Sequence, residues 1–356
     1  MSRAENRKTI ALFIPHIGCP NACIFCNQHR IAGREGRVSL RSLRLDIEQA
    51  LTTIGKDQRA EIAFFGGSFT ALDPDFRRGC LELAREFIRR EERVDSIRLS
   101  TRPDAIDREI LGQLKDFGVR RIELGVQSLD EEVLRESRRG HDAACVFASA
   151  AQIRSEGFSL GLQMMVGLPL DTEEKAIRMA RAIAEMKPDF VRIYPVLVVS
   201  ETELAERFRR GEYEPLALDE AVSLAAKLYL IFVSKDIKVA RIGLQASEGV
   251  QLGRDVLAGP FHPAMGELVA SALYRDFIET YMITNDIKEK AEILCPRREI
   301  SKVIGNNKSN LRYFERKYGF LPRIREKETA GAVLLVNGAE IGKERFLEVL
   351  NRRYFA

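Results

Sequence analysis

The chain has 356 residues, with 56 Lys and Arg side chains against 52 Asp and Glu, so its net charge is only +4. This length predicts one large α/β domain and a smaller one, and the near balance of charge excludes nucleic-acid binding driven by overall charge. No apolar run reaches the roughly 18 to 20 residues of a membrane helix, and the polar N-terminus, MSRAENRKT, does not resemble a secretion signal. We therefore expect a cytoplasmic protein with reduced thiols and no membrane partner.

Short apolar runs alternate with stretches of helical period from Ile10 to about residue 236. This alternation is typical of βα units around a parallel sheet. The predicted strands are 9–16, 60–66, 96–101, 121–127, 159–166 and 189–197. The predicted helices are 39–54, 73–90, 107–117, 141–156, 172–186 and 218–235. The chain therefore contains at least six βα units, and the run Lys238 to Gln245 fits a further strand.

The pattern changes in the last third of the chain. A turn-rich segment leads to a helix near 265–274, and from about residue 283 the predicted order of elements becomes βααββα. We divide the chain accordingly into a barrel of βα units at 1–250, a connecting helical segment at 251–282 and a small α+β domain at 283–356.

Each predicted strand of the barrel ends in an unusual sequence. The first is followed by three cysteines, Cys19, Cys23 and Cys26. The others are followed by Gly66-Gly67-Ser68, Thr101-Arg102-Pro103-Asp104, Gly125-Val126-Gln127-Ser128, Met165-Val166-Gly167 and Tyr194-Pro195-Val196. Because active sites of such barrels form at the carboxyl ends of the strands, we expect these sequences to meet at one mouth.

The spacing C-x3-C-x2-C supplies three soft thiolates, which suits a [4Fe-4S] cluster with one iron free of protein ligands. A zinc site with His16 or His29 as fourth ligand is an alternative. A thioredoxin-like pair, Cys23 and Cys26, is another. A redox pair of Cys23 and Cys26 would leave Cys19 without a role. A zinc site would leave the unusual sequences at the other strand ends without a role. The iron–sulfur interpretation is therefore favoured.

The loop Cys19-x3-Cys23-x-Phe25-Cys26 resembles the signature of the radical S-adenosylmethionine superfamily. The resemblance implies a partial (βα)6 TIM-like barrel whose three cysteines hold a [4Fe-4S] cluster. It also implies that S-adenosylmethionine binds the fourth iron and is cleaved reductively to a 5′-deoxyadenosyl radical. An external electron donor such as flavodoxin or ferredoxin is then required.

The same resemblance implies roles for side chains at the strand ends. Phe25 would shield the cluster from water. The residues expected to contact S-adenosylmethionine are Gly66, Gly67, Ser68, Gln127, Ser128 and Met165. No catalytic residue is assigned, and the candidates for substrate contact are Arg192, Tyr194 and His262.

Several linked motifs resemble the radical domain of the catalytic subunit of Elongator and its bacterial relatives, over roughly residues 9 to 250. They are Arg102-Pro-Asp104, Arg121-Ile-Glu-Leu-Gly-Val-Gln-Ser128, Arg139-Gly-His141, Arg192-Ile-Tyr-Pro195 and Arg210-Gly-Glu-Tyr213. That family modifies a tRNA uridine, so the resemblance implies RNA, and tRNA in particular, as substrate. The residues after the barrel leave no room for the family's acetyltransferase domain, so carboxymethylation is not expected. The alternatives are a radical enzyme similar to oxygen-independent coproporphyrinogen oxidase and a zinc-stapled RNA-binding scaffold.

The C-terminal unit contains Val303-Ile-Gly305-Asn-Asn-Lys308-Ser-Asn-Leu311, which is similar to a type I KH domain. Such domains clamp single-stranded nucleic acid at a G-x-x-G loop. Lys308 replaces the second glycine, which removes close backbone approach but supplies a cation for phosphate. The resemblance implies RNA binding, and a KH-like fold used only for packing is the alternative.

Overall fold

The computed structural model describes residues 7–14, 19, 23–27, 38–244, 252–328 and 331–355. Seven parallel strands form one curved sheet in the order in which they occur along the chain. They are β1 (Lys8–Ile14), β2 (Ala60–Gly66), β3 (Val94–Thr101), β4 (Val119–Gln127), β5 (Ser159–Val166), β6 (Phe190–Pro195) and β8 (Lys238–Ile242). A separate ribbon joins β7 (Val198–Val199) to β9 (Val256–Ala258). The predicted partial barrel of six βα units is confirmed, and the run at Lys238 adds a seventh strand.

Helices follow the strands and cover one face of the sheet. They are α1 (Leu40–Thr53), α2 (Pro74–Arg90), α3 (Arg108–Asp116), α4 (Glu131–Glu136), α5 (Ala143–Ser155), α6 (Glu173–Glu185), α7 (Glu203–Arg209) and α8 (Leu218–Val233). Side-chain caps start them where expected: the oxygen of Ser39 accepts from Ser42 N–H and that of Asp73 from Phe76 N–H. One apolar core is shared by the covered face of the sheet and six of these helices, α1, α2, α3, α5, α6 and α8, whereas buried residues of α4 and α7 belong to a smaller apolar cluster.

The other face of the sheet carries charged side chains. In β3, Ile97 and Leu99 belong to the apolar core, so Arg98 between them points to the concave side. Arg98 Nη1 lies 3.2 Å from Glu61 Oε1, and Arg98 Nε lies 3.2 Å from Glu123 Oε1. Glu123 Oε2 is in turn 2.8 Å from Arg192 Nε. The interior of the barrel is therefore bridged by a row of buried ion pairs.

The last third of the chain forms a second unit around a four-stranded sheet with the strand order β11-β10-β12-β13. Its elements are α9 (Met265–Thr284), β10 (Glu292–Cys295), α10 (Ile300–Ile304), α11 (Ser309–Tyr318), β11 (Arg323–Glu326), β12 (Leu334–Val336), β13 (Ala339–Ile341) and α12 (Lys343–Phe355). From β10 the described order is βααβββα, so the predicted order lacked one strand, β13. Neighbouring β10 and β11 run parallel, whereas β12 and β13 run antiparallel.

This second unit has its own apolar core, to which α8 and α9 also contribute. A buried carboxylate on α9, Glu279, accepts hydrogen bonds from Lys317 Nζ at 2.6 Å, Tyr318 Oη at 2.9 Å and Arg353 Nη2 at 2.7 Å, and from Tyr313. Burial opposes its ionisation, but these donors hold the pKa of Glu279 at about 2. The hydrogen bonds of this carboxylate thus join α9 to α11 and α12.

The domain boundaries at 250 and 282 stay predictions. Among the helices in the described ranges, none has the length and apolar character to cross a membrane.

Candidate functional site

The cysteine-bearing segment lies against the loops that follow the strands of the barrel. Ile24 is buried, its N–H donates to the carbonyl of Ser137 at 3.3 Å, and its carbonyl accepts from Leu204 N–H at 2.9 Å. Asn27 Nδ2 donates to the carbonyl of Ser200 at 3.3 Å. Residues that follow β4 and β6 therefore hold this segment at the carboxyl end of the sheet, as predicted. His16 and His29, the two zinc candidates, lie outside the described residues.

Two of the three thiols lie beside arginines and backbone donors of this mouth. Arg139 Nη1 is 3.6 Å from Cys23 Sγ, while Nη2 of the same guanidinium donates to the carbonyl of Gly125 at 2.7 Å. Burial raises the pKa of Cys19, and Arg139, Arg102 and the Ser68 N–H oppose that rise. Within the described residues none of the three cysteines forms a disulfide, and all three are partly exposed.

Arg102 lies behind Arg139 in the same cluster. Its Nη2 donates to the carbonyl of Arg139 at 2.5 Å, and its Nε and Nη2 form two 2.8 Å bonds with the Asp104 carboxylate. Its backbone N–H donates to Ser68 Oγ at 3.2 Å. Sequence reasoning did not name Arg102 or Arg139 as site residues. Their motifs, Arg102-Pro-Asp104 and Arg139-Gly-His141, were the available signal.

The two glycines after β2 pack against the end of β1. Gly66 has φ of +104°, and a Cβ there would lie 2.8 Å from the carbonyl oxygen of Ile14. Gly67 N–H donates to that same oxygen at 2.7 Å. A side chain at residue 66 would therefore displace the strand from which the cysteine loop starts. Contact of Gly66, Gly67 and the buried Ser68 with a cofactor stays a prediction.

Phe25 and Met165 pack against the same apolar cluster at the mouth. Both border the apolar cluster formed by Ile24 and its neighbours, together with Tyr213. Tyr213 Oη donates to the carbonyl of Gly167 at 2.5 Å, and Gly167 N–H donates to Asp171 Oδ2 at 2.9 Å. Both backbone groups of Gly167 are thus held by side chains, which secures the loop after β5. Tyr213, the last residue of the Arg210-Gly-Glu-Tyr213 motif, therefore stabilises the loop after β5.

The predicted ribose contacts, Gln127 and Ser128, are buried at the end of β4. Gln127 has φ of +65°, and its Oε1 accepts from Gln163 Nε2 at 3.0 Å. Ser128 Oγ accepts from the N–H of Asp130 at 3.1 Å. The structure therefore gives both side chains protein partners, and their contact with ribose stays a prediction.

The three candidates for substrate contact fall into two places. Arg192 and Tyr194 lie in the barrel interior, where Arg192 Nη1 donates to Tyr194 Oη at 3.1 Å. His262 precedes α9, and its Nε2 is 3.4 Å from Asn306 Nδ2 in the loop between α10 and α11. The start of α9 abuts the end of β8, since a Cβ on Gly243 would lie 2.8 Å from Met265 Cβ. His262 therefore marks the junction between the second unit and the mouth of the barrel.

The donor chemistry fits an iron–sulfur cluster. In the part of the chain that the structure describes, no three His, Cys, Asp or Glu side chains are already arranged to hold a metal ion. The available donors are nevertheless three thiols on one loop, which are the ligands such clusters use. Two buried guanidinium groups beside them match the negative charge that thiolate ligands bring.

Comparison with known proteins gives the class of protein. Residues 13–183 match the family described as the Radical SAM superfamily, and residues 188–275 match the Radical_SAM C-terminal domain. Together the two matches cover most of the chain. The chain belongs to the radical S-adenosylmethionine superfamily, whose enzymes use a [4Fe-4S] cluster and S-adenosylmethionine, and the predictions of enzyme class and cofactors are confirmed.

Within that class the chain is similar to Elongator-type proteins. It is 28% identical over 264 residues to "tRNA uridine(34) acetyltransferase" of Methanocaldococcus jannaschii, covering 63% of this chain and 48% of the relative. It is 26% identical over 254 residues to "Elongator complex protein 3" of Homo sapiens, covering 60% and 46%. The chain spans about half the length of these curated relatives.

A solved structure supports the same fold. The archaeal Methanocaldococcus infernus Elp3 with an N-terminal deletion superposes with a TM-score of 0.59 at 21% identity. The match covers 89% of this chain and 69% of the other. It therefore extends over more of the chain than the sequence matches do.

Proposed function

We propose that this protein is a radical S-adenosylmethionine enzyme that modifies RNA, and tRNA in particular, in the cytoplasm. The observation that carries the proposal is the position of the Cys19–Cys26 loop, held at the carboxyl end of a parallel barrel beside the other strand-end motifs. The names of the relatives, which refer to tRNA uridine and to Elongator, support RNA as the substrate class.

Each part of the mouth then has a task. Cys19, Cys23 and Cys26 would hold the cluster, Phe25 would exclude water, and S-adenosylmethionine would lie along Gly66, Gly67, Ser68, Gln127, Ser128 and Met165. Once bound, these groups supply a 5′-deoxyadenosyl radical upon one-electron reduction by an external donor such as flavodoxin or ferredoxin. Arg192 and Tyr194, in the interior, would position the substrate.

The KH-like loop would deliver the RNA. Asn306, Asn307 and Lys308 are exposed, and Lys308 has φ of +61°, the backbone conformation that a glycine favours at this place of the motif. Asn306 touches His262, which precedes the helix that abuts the end of β8. A single strand of RNA bound at this loop would therefore run towards the mouth of the barrel.

Lys308→Glu should weaken tRNA binding about tenfold, because it replaces a phosphate-binding cation with an anion. The slope of the logarithm of affinity against the logarithm of salt concentration should also decrease in magnitude by about one. Fluorescence anisotropy with labelled tRNA over a range of salt concentrations measures both. Lys56→Glu is the matched control, since Lys56 is exposed and lies before β2, at the amino end of the sheet. Equal affinities of the two variants would contradict an RNA-binding role for the loop.

The function itself is tested by incubating the reduced holoenzyme with S-adenosylmethionine, with and without cellular tRNA. We expect tRNA to increase 5′-deoxyadenosine formation and to yield a nucleoside of altered mass, both detected by mass spectrometry. If 5′-deoxyadenosine forms at the same rate without RNA and no nucleoside changes, the RNA assignment is wrong, and the alternative of a small-molecule substrate is favoured.

A further inference from the structure

We propose that Arg102 and Arg139 form a cationic support beneath the cysteine loop that makes the cluster easier to reduce. This inference rests on the proposed function and goes beyond it, because the proposed function assigns no role to Arg102 or Arg139. Both would act through the cluster and its thiolates, so they are positioning residues rather than catalytic ones.

The first argument is burial without a matching carboxylate. Arg102 is only 2% exposed, and Arg139 is only 7% exposed. Arg102 is neutralised by Asp104, but within the described residues Arg139 pairs with no carboxylate. A guanidinium stays charged at all ordinary pH values, and a buried charge without a counterion is costly. The fold therefore requires another anion near Arg139.

The second argument is the position of the Cys23 thiol. Arg139 Nη1 lies 3.6 Å from Cys23 Sγ, and Arg102 donates to the carbonyl of Arg139, which places both guanidinium groups in one cluster with the loop. Within the described residues, the buried Arg102 Nη1 and Arg139 Nε atoms have no hydrogen-bond partner. Thiolates that ligate iron would supply the missing negative charge on this side.

A change of redox state follows from this arrangement by electrostatics. One electron from the external donor adds one negative charge to the cluster, and no bond forms or breaks and no proton is needed. A buried cation a few ångströms away stabilises the more negative state, because charges interact strongly where water is excluded. The support should therefore raise the reduction potential above the value that the same cluster would have without it.

A structural role is the competing explanation, since Arg139 also donates to the carbonyl of Gly125 and would simply hold the mouth together. Charge and shape are separated by three variants: Arg139→Gln removes the charge, Arg139→Lys keeps it, and Asp104→Asn leaves the charge of Arg102 unneutralised. Arg78→Gln is the matched control, because Arg78 is an exposed residue of α2.

The experiment is a potentiometric titration of each reconstituted protein, monitored by the electron paramagnetic resonance signal of the reduced cluster, with iron content measured alongside. We expect a more negative midpoint potential for Arg139→Gln, a less negative one for Asp104→Asn, and values near wild type for Arg139→Lys and Arg78→Gln. If Arg139→Gln takes up no iron, the direction of the Asp104→Asn shift decides the matter. Wild-type potentials in both Arg139→Gln and Asp104→Asn would overturn the inference while leaving the proposed function intact. A wild-type protein that binds no cluster would refute the proposed function instead.

Discussion

Replacing Cys23 with Ala should abolish cluster assembly and S-adenosylmethionine cleavage together. Three thiolates are the protein ligands that the loop offers, and Cys23 is the one beside Arg139. Two remaining thiolates hold an iron–sulfur cluster poorly. Iron and sulfide content after anaerobic reconstitution, and 5′-deoxyadenosine by mass spectrometry after reduction, measure the two losses. Both should fall to the background of protein without iron.

The matched control is Cys295→Ala, because Cys295 is a buried thiol of the second core and lies in β10. This variant should lose some packing but keep about four irons. Retention of iron and of cleavage by Cys23→Ala would contradict the assignment of the loop. Zinc in the wild-type protein in place of iron would instead support the zinc-stapled scaffold.

Glu123→Gln should destabilise the barrel by about 3 to 5 kcal/mol, the usual cost of removing one partner from a buried ion pair. Glu123 is 4% exposed and is the shared partner of Arg98 and Arg192 in the interior. Its loss leaves Arg98 with Glu61 and, within the described residues, leaves Arg192 with no carboxylate partner. Urea denaturation followed by circular dichroism gives the free energy of unfolding.

Glu86→Gln provides the comparison for this prediction. Glu86 pairs with Arg44 on the surface, where water and salt screen the attraction, so its replacement should change the free energy of unfolding only slightly. A loss of stability as small for Glu123→Gln as for Glu86→Gln would mean that water reaches the interior and screens the charges. The row of ion pairs would then be a solvated channel rather than part of the packed structure.

The predicted barrel strands matched the structure because they are buried and rich in Ile, Val, Leu and Phe, a local signal. β2 and β5 have the predicted bounds. The helices α4 and α7 were not predicted, because six and seven residues are too few to display a helical period. β13 was missed for a similar reason, since it has three residues and only its last is buried.

Some features of the candidate site are local in the sequence, whereas others depend on contacts between distant residues. The spacing of Cys19, Cys23 and Cys26 is local, and it identified the loop. The contact between Arg139 and Cys23 joins residues 116 positions apart, so no local pattern contains it. The same holds for the contact between His262 and Asn306, which are 44 positions apart.

The amino-acid sequence by itself determined that this chain is a parallel barrel of βα units with a three-thiol loop after its first strand, because strand burial and ligand spacing are properties of short segments. Packing of distant segments brings Arg102 and Arg139 beneath that loop, joins Arg98 to Arg192 through Glu123, and sets the loop between α10 and α11 near the mouth. These features depend on which distant segments the fold brings within a few ångströms of one another. The charges around the cluster site, and the direction from which a substrate would approach it, therefore follow from packing.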